Sequence, residues 1–236
     1  MMYKVVVFGY DFPHKKSEDF LHILKKYGIE VVGYLAAPSV KLHLPNKIYK
    51  RSISNPPIFH PKELCDLYDI PYFVVTHNSN ESLTLIEKLN ANLGIISGAR
   101  ILKENIINSF SHGIINLHPG KIPESSGLDS LYWSIQKRIP LYITTHFIDK
   151  RIDAGAIIKE KLVEINLNDR IEDIKYKCNL IENEELTFIC DKYLKDNMII
   201  PKIGLIENVT SNPPMNEDEQ NKAISLFESW KNRFGK

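Results

Sequence analysis

Along the chain, two rhythms of hydrophobic and polar positions alternate. Short runs of consecutive apolar, β-branched residues recur, and between them apolar residues return every three or four positions. Tyr3 to Phe8 (YKVVVF) is the first such run and has the composition of a strand covered on both faces. Ser17 to Tyr27 (SEDFLHILKKY) sets Phe20, Ile23 and Leu24 on one helical stripe, with Ser17 as its N-cap and Gly28 where a helix C-terminus favours glycine. Ile29 to Ala37, Pro71 to Thr76 and Leu93 to Ala99 predict three further strands, with a helix over Ser82 to Ala91. Lys41 to Pro61 holds four prolines and reads as a surface loop near a site.

A short helix at Asn105 to Phe110 then leads into a strand over Gly113 to Leu117, and Leu128 to Arg138 is again helical. Leu141 to Asp149 and Ala156 to Ile165 complete the strands; so little separates them that they are free to pair differently from the rest. A long amphipathic helix follows from about Arg170 to Leu194, with Ile171, Ile174, Cys178, Ile181, Leu186 and Ile189 at helical spacing. Strands alternating with helices predict an α/β fold, a Rossmann-like, mostly parallel twisted sheet with helices on both faces. Residues 1–196 form this main domain and 197–236 a short C-terminal appendage. In the appendage, Met198 to Leu205 is an apolar strand that Pro201 confines to a sheet edge. TSNPPMNEDEQ is a breaker-rich turn and Ala223 to Phe234 a terminal helix. The edge strand and a helix face bearing Leu226, Phe227 and Trp230 leave apolar surface, for which a homodimer is the expected cover.

Charge and cysteine usage narrow the classes. A formal net charge of +1 gives no long-range pull toward nucleic acid or an anionic membrane. The basic cluster Lys47, Lys50 and Arg51 reads as a solvated face. Cys65, Cys178 and Cys190 are too few and scattered for a disulfide framework; the latter two read as small buried hydrophobes. With no apolar run of bilayer length and no signal-peptide shape in MMYKVVVFGY, a soluble cytoplasmic protein is expected.

Several familiar chemistries lack their motifs. The first strand is followed by GYDFPHKKS, which is not G-x-G-x-x-G, and there is no Walker loop, G-x-S-x-G elbow or H-E-x-x-H. His60, His118 and His146 have no metal-ligand spacing, so no metal is expected.

What remains is IINLHPGKIP (Ile114 to Pro123). Alternate residues of a strand share a face, so Asn116 and His118 point the same way. They sit at a strand's C-terminal end, where open α/β sheets hold ligands, and Pro119 and Gly120 turn the chain away. In THFIDKRIDAGAII, the turn at Asp153, Ala154 and Gly155 aims a carboxylate back across the sheet. If the two strands are neighbours, Asn116, His118 and Asp153 converge. Histidine can take a proton from an amine and return it to a leaving group, and a carboxylate can fix its tautomer. An asparagine amide can stabilise an oxygen that becomes negative. Taken singly, a strand-end histidine is more often structural and an aspartate in such a turn a turn former. From these residues alone the reading stops at an enzyme that transfers a group to an amine.

The ordered motifs N-x-H-P, x-P-x-x-x-G and T-x-H-x-I-D-x-x-I-D-x-G-x-I-I, running through Leu93 to Ile158, resemble the core signature of the folate-dependent formyltransferases. The resemblance implies that residues 1–196 are a formyltransferase catalytic domain, with Asn116, His118 and Asp153 as its catalytic trio and N10-formyltetrahydrofolate as donor. It matches Arg100, Ile101 and Leu102 of ARIL to the segment whose backbone meets the pterin. Ile148, Asp149 and Lys150, in the loop running to Asp153, match the opposite wall. The Glu124 to Ser130 loop, with Ser125, borders the acceptor, and His146 supports the trio from the neighbouring strand.

Within that family the ribonucleotide enzymes carry a G-N-G-S-N-like phosphate loop, from which FGYDFPHKKS departs. The tRNA enzymes carry a long basic C-terminal domain, whereas here only Met198 to Lys236 follows. The compact sugar-nucleotide N-formyltransferases are the nearest resemblance. They imply a nucleotide-linked, dTDP-type amino sugar as acceptor, and a product for O-antigen, lipopolysaccharide or other surface glycan. Phe8, Gly9 and Tyr10 at the first strand's end, and Asn78 and Asn80 of HNSNES, are the candidate acceptor contacts. Tyr132 and Trp133 read as core rather than base-stacking residues. Two alternatives stay open: a formyltetrahydrofolate hydrolase using the same trio on water, and a silent folate or nucleotide-sugar binding protein.

Overall fold

In the computed structural model, which describes residues 2–48, 56–206 and 210–236, the first apolar run becomes the middle of a sheet. Strand β1 (Val5–Tyr10) is flanked by β2 (Val31–Ala37) and β4 (Leu93–Ile96), both parallel to it. Beyond them lie β3 (Tyr72–Val74) and β5 (Ile114–His118), also parallel. The helices α1 (Lys15–Lys26), α2 (Pro61–Tyr68), α3 (Asn80–Lys88) and α4 (Glu104–Ile107) serve as crossovers. After α5 (Ser130–Lys137) the chain returns antiparallel as β6 (Tyr142–Phe147) and β7 (Gly155–Leu162). Helix α6 (Ile171–Ile189) continues as a wider turn over Cys190–Leu194; then come β8 (Gly204–Ile206) and α7 (Glu217–Phe234). Among the described residues, eight strands form one mixed sheet in the order β3-β2-β1-β4-β5-β6-β7-β8. Strand order reverses at β1, which opens a crevice at the carboxyl ends of β1, β4 and β5.

The alternation along β1 accounts for the two layers. Val5 and Val7 join a core with α1, α5, α6 and α7, while Val6 and Phe8 join a second core with α3 and α4. All four are fully buried, so each face of the strand must be apolar.

Several local expectations are corrected. Ser17 lies inside α1, whose N-cap is His14; the Ser17 hydroxyl instead pairs with His14 Nδ1 (3.1 Å) and Ser97 Oγ (3.0 Å). A helix missing from the periodicity, α2, starts at the end of the proline-rich stretch. There Pro61 takes the first helical position and His60 and Glu63 form a capping box. Within TSNPPMNEDEQ, Asn216 and Glu219 form another capping box, so α7 begins at Glu217 rather than Ala223. Lys47 is not simply solvated, because its ammonium pairs with Asp129 at 2.6 and 2.5 Å; Lys50 and Arg51 lie outside the described residues.

The C-terminal helix covers its own apolar face. Phe227 and Trp230 are buried in the larger core, Leu226 packs against it, and Trp230 Nε1 donates to the Ile139 carbonyl (2.7 Å). This part of the surface assigned to a homodimer is therefore used within the chain. Met198, Ile199, Ile203 and Leu205 beside β8 remain exposed. Among the described residues no helix is long and apolar enough to cross a membrane.

Because Trp230 fills the α7 seam, Trp230→Ala is expected to cost about 3–5 kcal/mol. Urea denaturation followed by circular dichroism should show one cooperative transition moved to lower urea. A separate early transition of α7 alone would contradict its place in the larger core.

Candidate active site

The polar pair at the end of β5 is placed by register. In the antiparallel β5–β6 ladder Asn116 stands opposite His146 and His118 opposite Thr144, so the four side chains share one sheet face. The β6–β7 turn carries Asp153 to the same place, with His118 Nδ1 to Asp153 Oδ2 at 3.4 Å. Asn116, His118 and Asp153 thus converge.

His118 is buried, and its Nε2 lies 2.9 Å from the Ser125 carbonyl. A carbonyl only accepts, so Nε2 carries a proton and, in the neutral ring, Nδ1 offers a lone pair. That lone pair faces a carboxylate. The 3.4 Å separation is longer than a strong hydrogen bond. A proton arriving on Nδ1 converts the contact into an ion pair. Asp153 is held in turn by the Gly127 amide, which donates to Oδ2 at 2.5 Å.

Two glycines allow this closeness. A side chain at Gly120 would place its Cβ 2.6 Å from His118 Nε2 and 2.8 Å from the Ser125 carbonyl. Gly155 closes the Asp153 turn at φ +108°, where a Cβ would lie 2.1 Å from the Phe147 carbonyl.

His146 is fully buried, and its Nδ1 donates to the Ala154 carbonyl at 3.1 Å. Its Nε2 therefore accepts from Asn116 Nδ2 at 3.3 Å, which fixes the orientation of the Asn116 amide. One amide hydrogen is committed to His146 and the other is left for an oxygen in the crevice. Burial first, and the neighbouring His118 second, hold His146 well below the ordinary imidazole range. It stays neutral, as an acceptor for Asn116 must.

The segments matched to a folate donor form neighbouring walls. Leu102 is buried in the smaller core and Ile148 packs against it. Ile101 is 61% exposed, and Lys150 pairs with Glu104 at 3.6 Å. Beside them lies a cleft of about 410 Å³, lined by Ile107, Asn108, Ile148, Asp149 and Lys150 among others. Arg100 donates to the Pro38 carbonyl (3.0 Å), and the Asp149 carboxylate is bound by Arg151.

The acceptor candidates are placed unevenly. Phe8 turns its side chain into the core against His77 and Phe110, so only its backbone lies at the strand end. Gly9 offers its carbonyl to His77 Nε2 (3.1 Å), and Tyr10 bonds the Ala99 carbonyl at 3.3 Å. Asn78 is engaged on both sides of its amide, donating to the Ile101 carbonyl and accepting from the Lys103 amide, each at 2.8 Å. It braces the Arg100–Lys103 loop. Asn80 is exposed in the first turn of α3. Ser125 is buried with its hydroxyl on the Lys121 carbonyl (3.1 Å); its contribution to the site is the carbonyl that orients His118.

Sequence reasoning missed Thr144, whose hydroxyl donates to the Gly120 carbonyl at 2.7 Å; the alternation T-x-H placed it on the His146 face all along. It also missed Asn212, which no periodicity marks, and, although Gly127 stood in the x-P-x-x-x-G motif, its amide bond to Asp153. Among the described residues no group of three or more candidate ligands is arranged to hold a metal. The three cysteines are buried, and burial pushes the Cys65 and Cys190 thiols up to about 12, so neither is a nucleophile.

An imidazole, an amide donor and a carboxylate thus meet at the carboxyl end of β5. A sequence profile described as Formyl transferase matches residues 45–188, more than half of the chain, which therefore belongs to the formyl transferase family. The chain is 25% identical over 132 residues to the phosphoribosylglycinamide formyltransferase of Bacillus subtilis (strain 168), covering 52% of this chain and 68% of that protein. It is 27% identical over 179 residues to the methionyl-tRNA formyltransferase of Flavobacterium psychrophilum, covering 75% of this chain and 54% of that one. It thus spans about half the length of the methionyl-tRNA formyltransferases it matches. A sugar N-formyltransferase structure from Shewanella sp FDAARGOS_354 superposes with a TM-score of 0.64 at 18% identity, covering 96% of this chain and 88% of that chain. A 4-N formyltransferase structure from Francisella tularensis gives 0.63 at 22% identity, covering 89% and 76%. At these identities the structures share the fold.

His146 and His77 share a consequence for stability. Burial, then the field of Arg100, also lowers His77, against the opposing pull of its backbone bonds. Neutral in the fold, both protonate more readily once exposed, so below about pH 6.5 the unfolded chain binds more protons and stability falls with pH. Denaturation midpoints at successive pH values should fall below that point, and less steeply in His146→Gln. An equal slope in both proteins would remove His146 from the account.

Proposed function

We propose that this protein moves a formyl group from N10-formyltetrahydrofolate to the amine of a nucleotide-linked amino sugar, of dTDP type, in the synthesis of a surface glycan. The observation that carries formyl transfer is the convergence of Asn116, His118 and Asp153 at one strand end. The donor fits this constellation. Asn116 keeps one amide hydrogen beyond its bond to His146, and the segments matched to the donor carry the exposed Ile101 side chain and the half-buried Ile148 beside a cleft.

The folate supplies the formyl group on N10. The His118–Asp153 pair takes the proton that the attacking amine loses as its new C–N bond forms, and holds it between Asp153 Oδ2 and His118 Nδ1. Asp153 stabilises the imidazolium, and Asn116 donates to the formyl oxygen as negative charge gathers there. His118 then returns the proton to N10 as the bond from N10 to the formyl carbon breaks, so base and site are restored. Burial of His118 and His146 keeps competing water from the base.

Support for an amino-sugar acceptor comes from the end of β1. Where a ribonucleotide enzyme needs a glycine-rich phosphate loop, this chain has Tyr10 stacked on Phe12, with centroids 4.8 Å apart and planes 7° apart. His14 stands edge-on to the same Tyr10 ring. These rings fill the turn that would wrap a phosphate.

The test is a coupled assay of the purified protein with N10-formyltetrahydrofolate and a panel of amino-sugar nucleotides, read by mass spectrometry. A gain of one formyl group on one panel member is the expected result. Folate deformylation with no modified sugar would turn the reading to hydrolysis. His118→Ala should lower kcat by about 10²–10⁴-fold and Asn116→Ala by about 10²–10³-fold. Unchanged transfer by His118→Ala would leave the reaction without its base.

A further inference from the structure

The sheet alone does not position the His118–Asp153 pair. Two backbone groups of one loop, the Ser125 carbonyl and the Gly127 amide, orient the imidazole and the carboxylate at 2.9 and 2.5 Å. Whatever fixes residues 124–127 therefore fixes both. Two hydroxyls tie the loop from within, Ser125 Oγ to the Lys121 carbonyl and Ser126 Oγ to the Pro123 carbonyl, each at 3.1 Å.

From outside the loop is gripped by a residue far along the chain. Asn212 Nδ2 donates to the Ser126 carbonyl at 2.8 Å and to the Glu124 carbonyl at 3.2 Å, on either side of Ser125. The Asn212 backbone amide adds a second bond to Ser126 O at 3.1 Å, and its backbone pairs with Gly127 as a parallel bridge. On the far side of the amide, Lys137 Nζ donates to Asn212 Oδ1 at 2.5 Å and to the Glu124 carbonyl at 2.6 Å. Every polar atom of the Asn212 side chain is engaged in the clamp. Ser126 and Glu124 turn their carbonyls outward to it, which leaves the Ser125 carbonyl facing His118 and the Gly127 amide facing Asp153.

We infer that Asn212 is a positioning residue for formyl transfer, acting through the 124–127 backbone to hold the base and its carboxylate in register. The C-terminal segment thereby belongs to the working machinery. The kinetic half of this inference rests on the formyl-transfer reading; the structural half does not.

The experiment compares wild type, Asn212→Ala, Asn212→Asp and Trp230→Phe by NMR and kinetics. The aspartate variant keeps the shape and the Lys137 contact but cannot donate to the two carbonyls. The Gly127 amide proton, donating to a carboxylate at short range, should resonate far downfield and exchange slowly in the wild type. Both Asn212 variants should move it upfield and speed its exchange about tenfold, and lower kcat about tenfold with both KM values within about twofold. Trp230→Phe, which loosens α7 away from the loop, should lower Tm without either effect. An unmoved Gly127 signal in both Asn212 variants would overturn the inference. So would matching changes in Trp230→Phe, since general loosening would then explain them. If Asn212→Ala fails to fold, Asn212→Asp decides. A wild type inert toward folate, with Gly127 still dependent on Asn212, would sink formyl transfer and leave the brace standing.

Discussion

The antiparallel turn-back of β6 on β5 is the constraint on which the site depends. Five strands run in parallel, but after α5 the chain comes back antiparallel. The reversal lays β6 beside β5 with His146 opposite Asn116 and Thr144 opposite His118. Polar groups on a largely buried face must find partners or forfeit their hydration. Here each finds one: Asn116 on His146, His146 on the Ala154 carbonyl, His118 on the Ser125 carbonyl, Thr144 on the Gly120 carbonyl. The loops after β5 and β6 are shaped by those demands as much as by their own turn residues.

The result is an imidazole whose tautomer is set by the fold. An Nε2 that donates to a carbonyl leaves Nδ1 toward the Asp153 carboxylate. Preorganisation of this kind lets a site act without rearranging as charge develops. The neutral His146 does the same for Asn116, because a charged ring would have no lone pair to accept the amide hydrogen.

The C-terminal residues tie distant parts of the chain to this loop. Asp129, at the start of α5, takes Lys47 from the segment after β2 and the Met215 amide from the approach to α7. Gln220, buried in α7, donates to the Asn46 carbonyl and accepts from the Ile48 amide. The extended segment after β2 is thus moored at both the α5 and α7 starts, beside the loop that Asn212 grips. Sheet, strap and tail meet at one mouth.

The sequence by itself determined the alternation of strands and helices, the buried character of β1, and the shared face of Asn116 and His118. These follow from local periods, two along a strand and 3.6 along a helix, which need no knowledge of neighbours. It also marked Asp153 through the turn chemistry of Asp-Ala-Gly. It could not show that α7 would cover its own Phe227 and Trp230, since an apolar helix face is the same whether a partner or the chain itself fills it. The capping boxes at His60 and Asn216 were legible but lay among prolines that signalled loop. Only the tertiary structure decided that β6 and β7 turn antiparallel, which nitrogen of His118 faces Asp153, and that Asn212 grips the loop beside it. The Asn212 grip joins groups 86 residues apart and the Asn116–His146 pairing groups 30 apart, and no local pattern encodes such contacts.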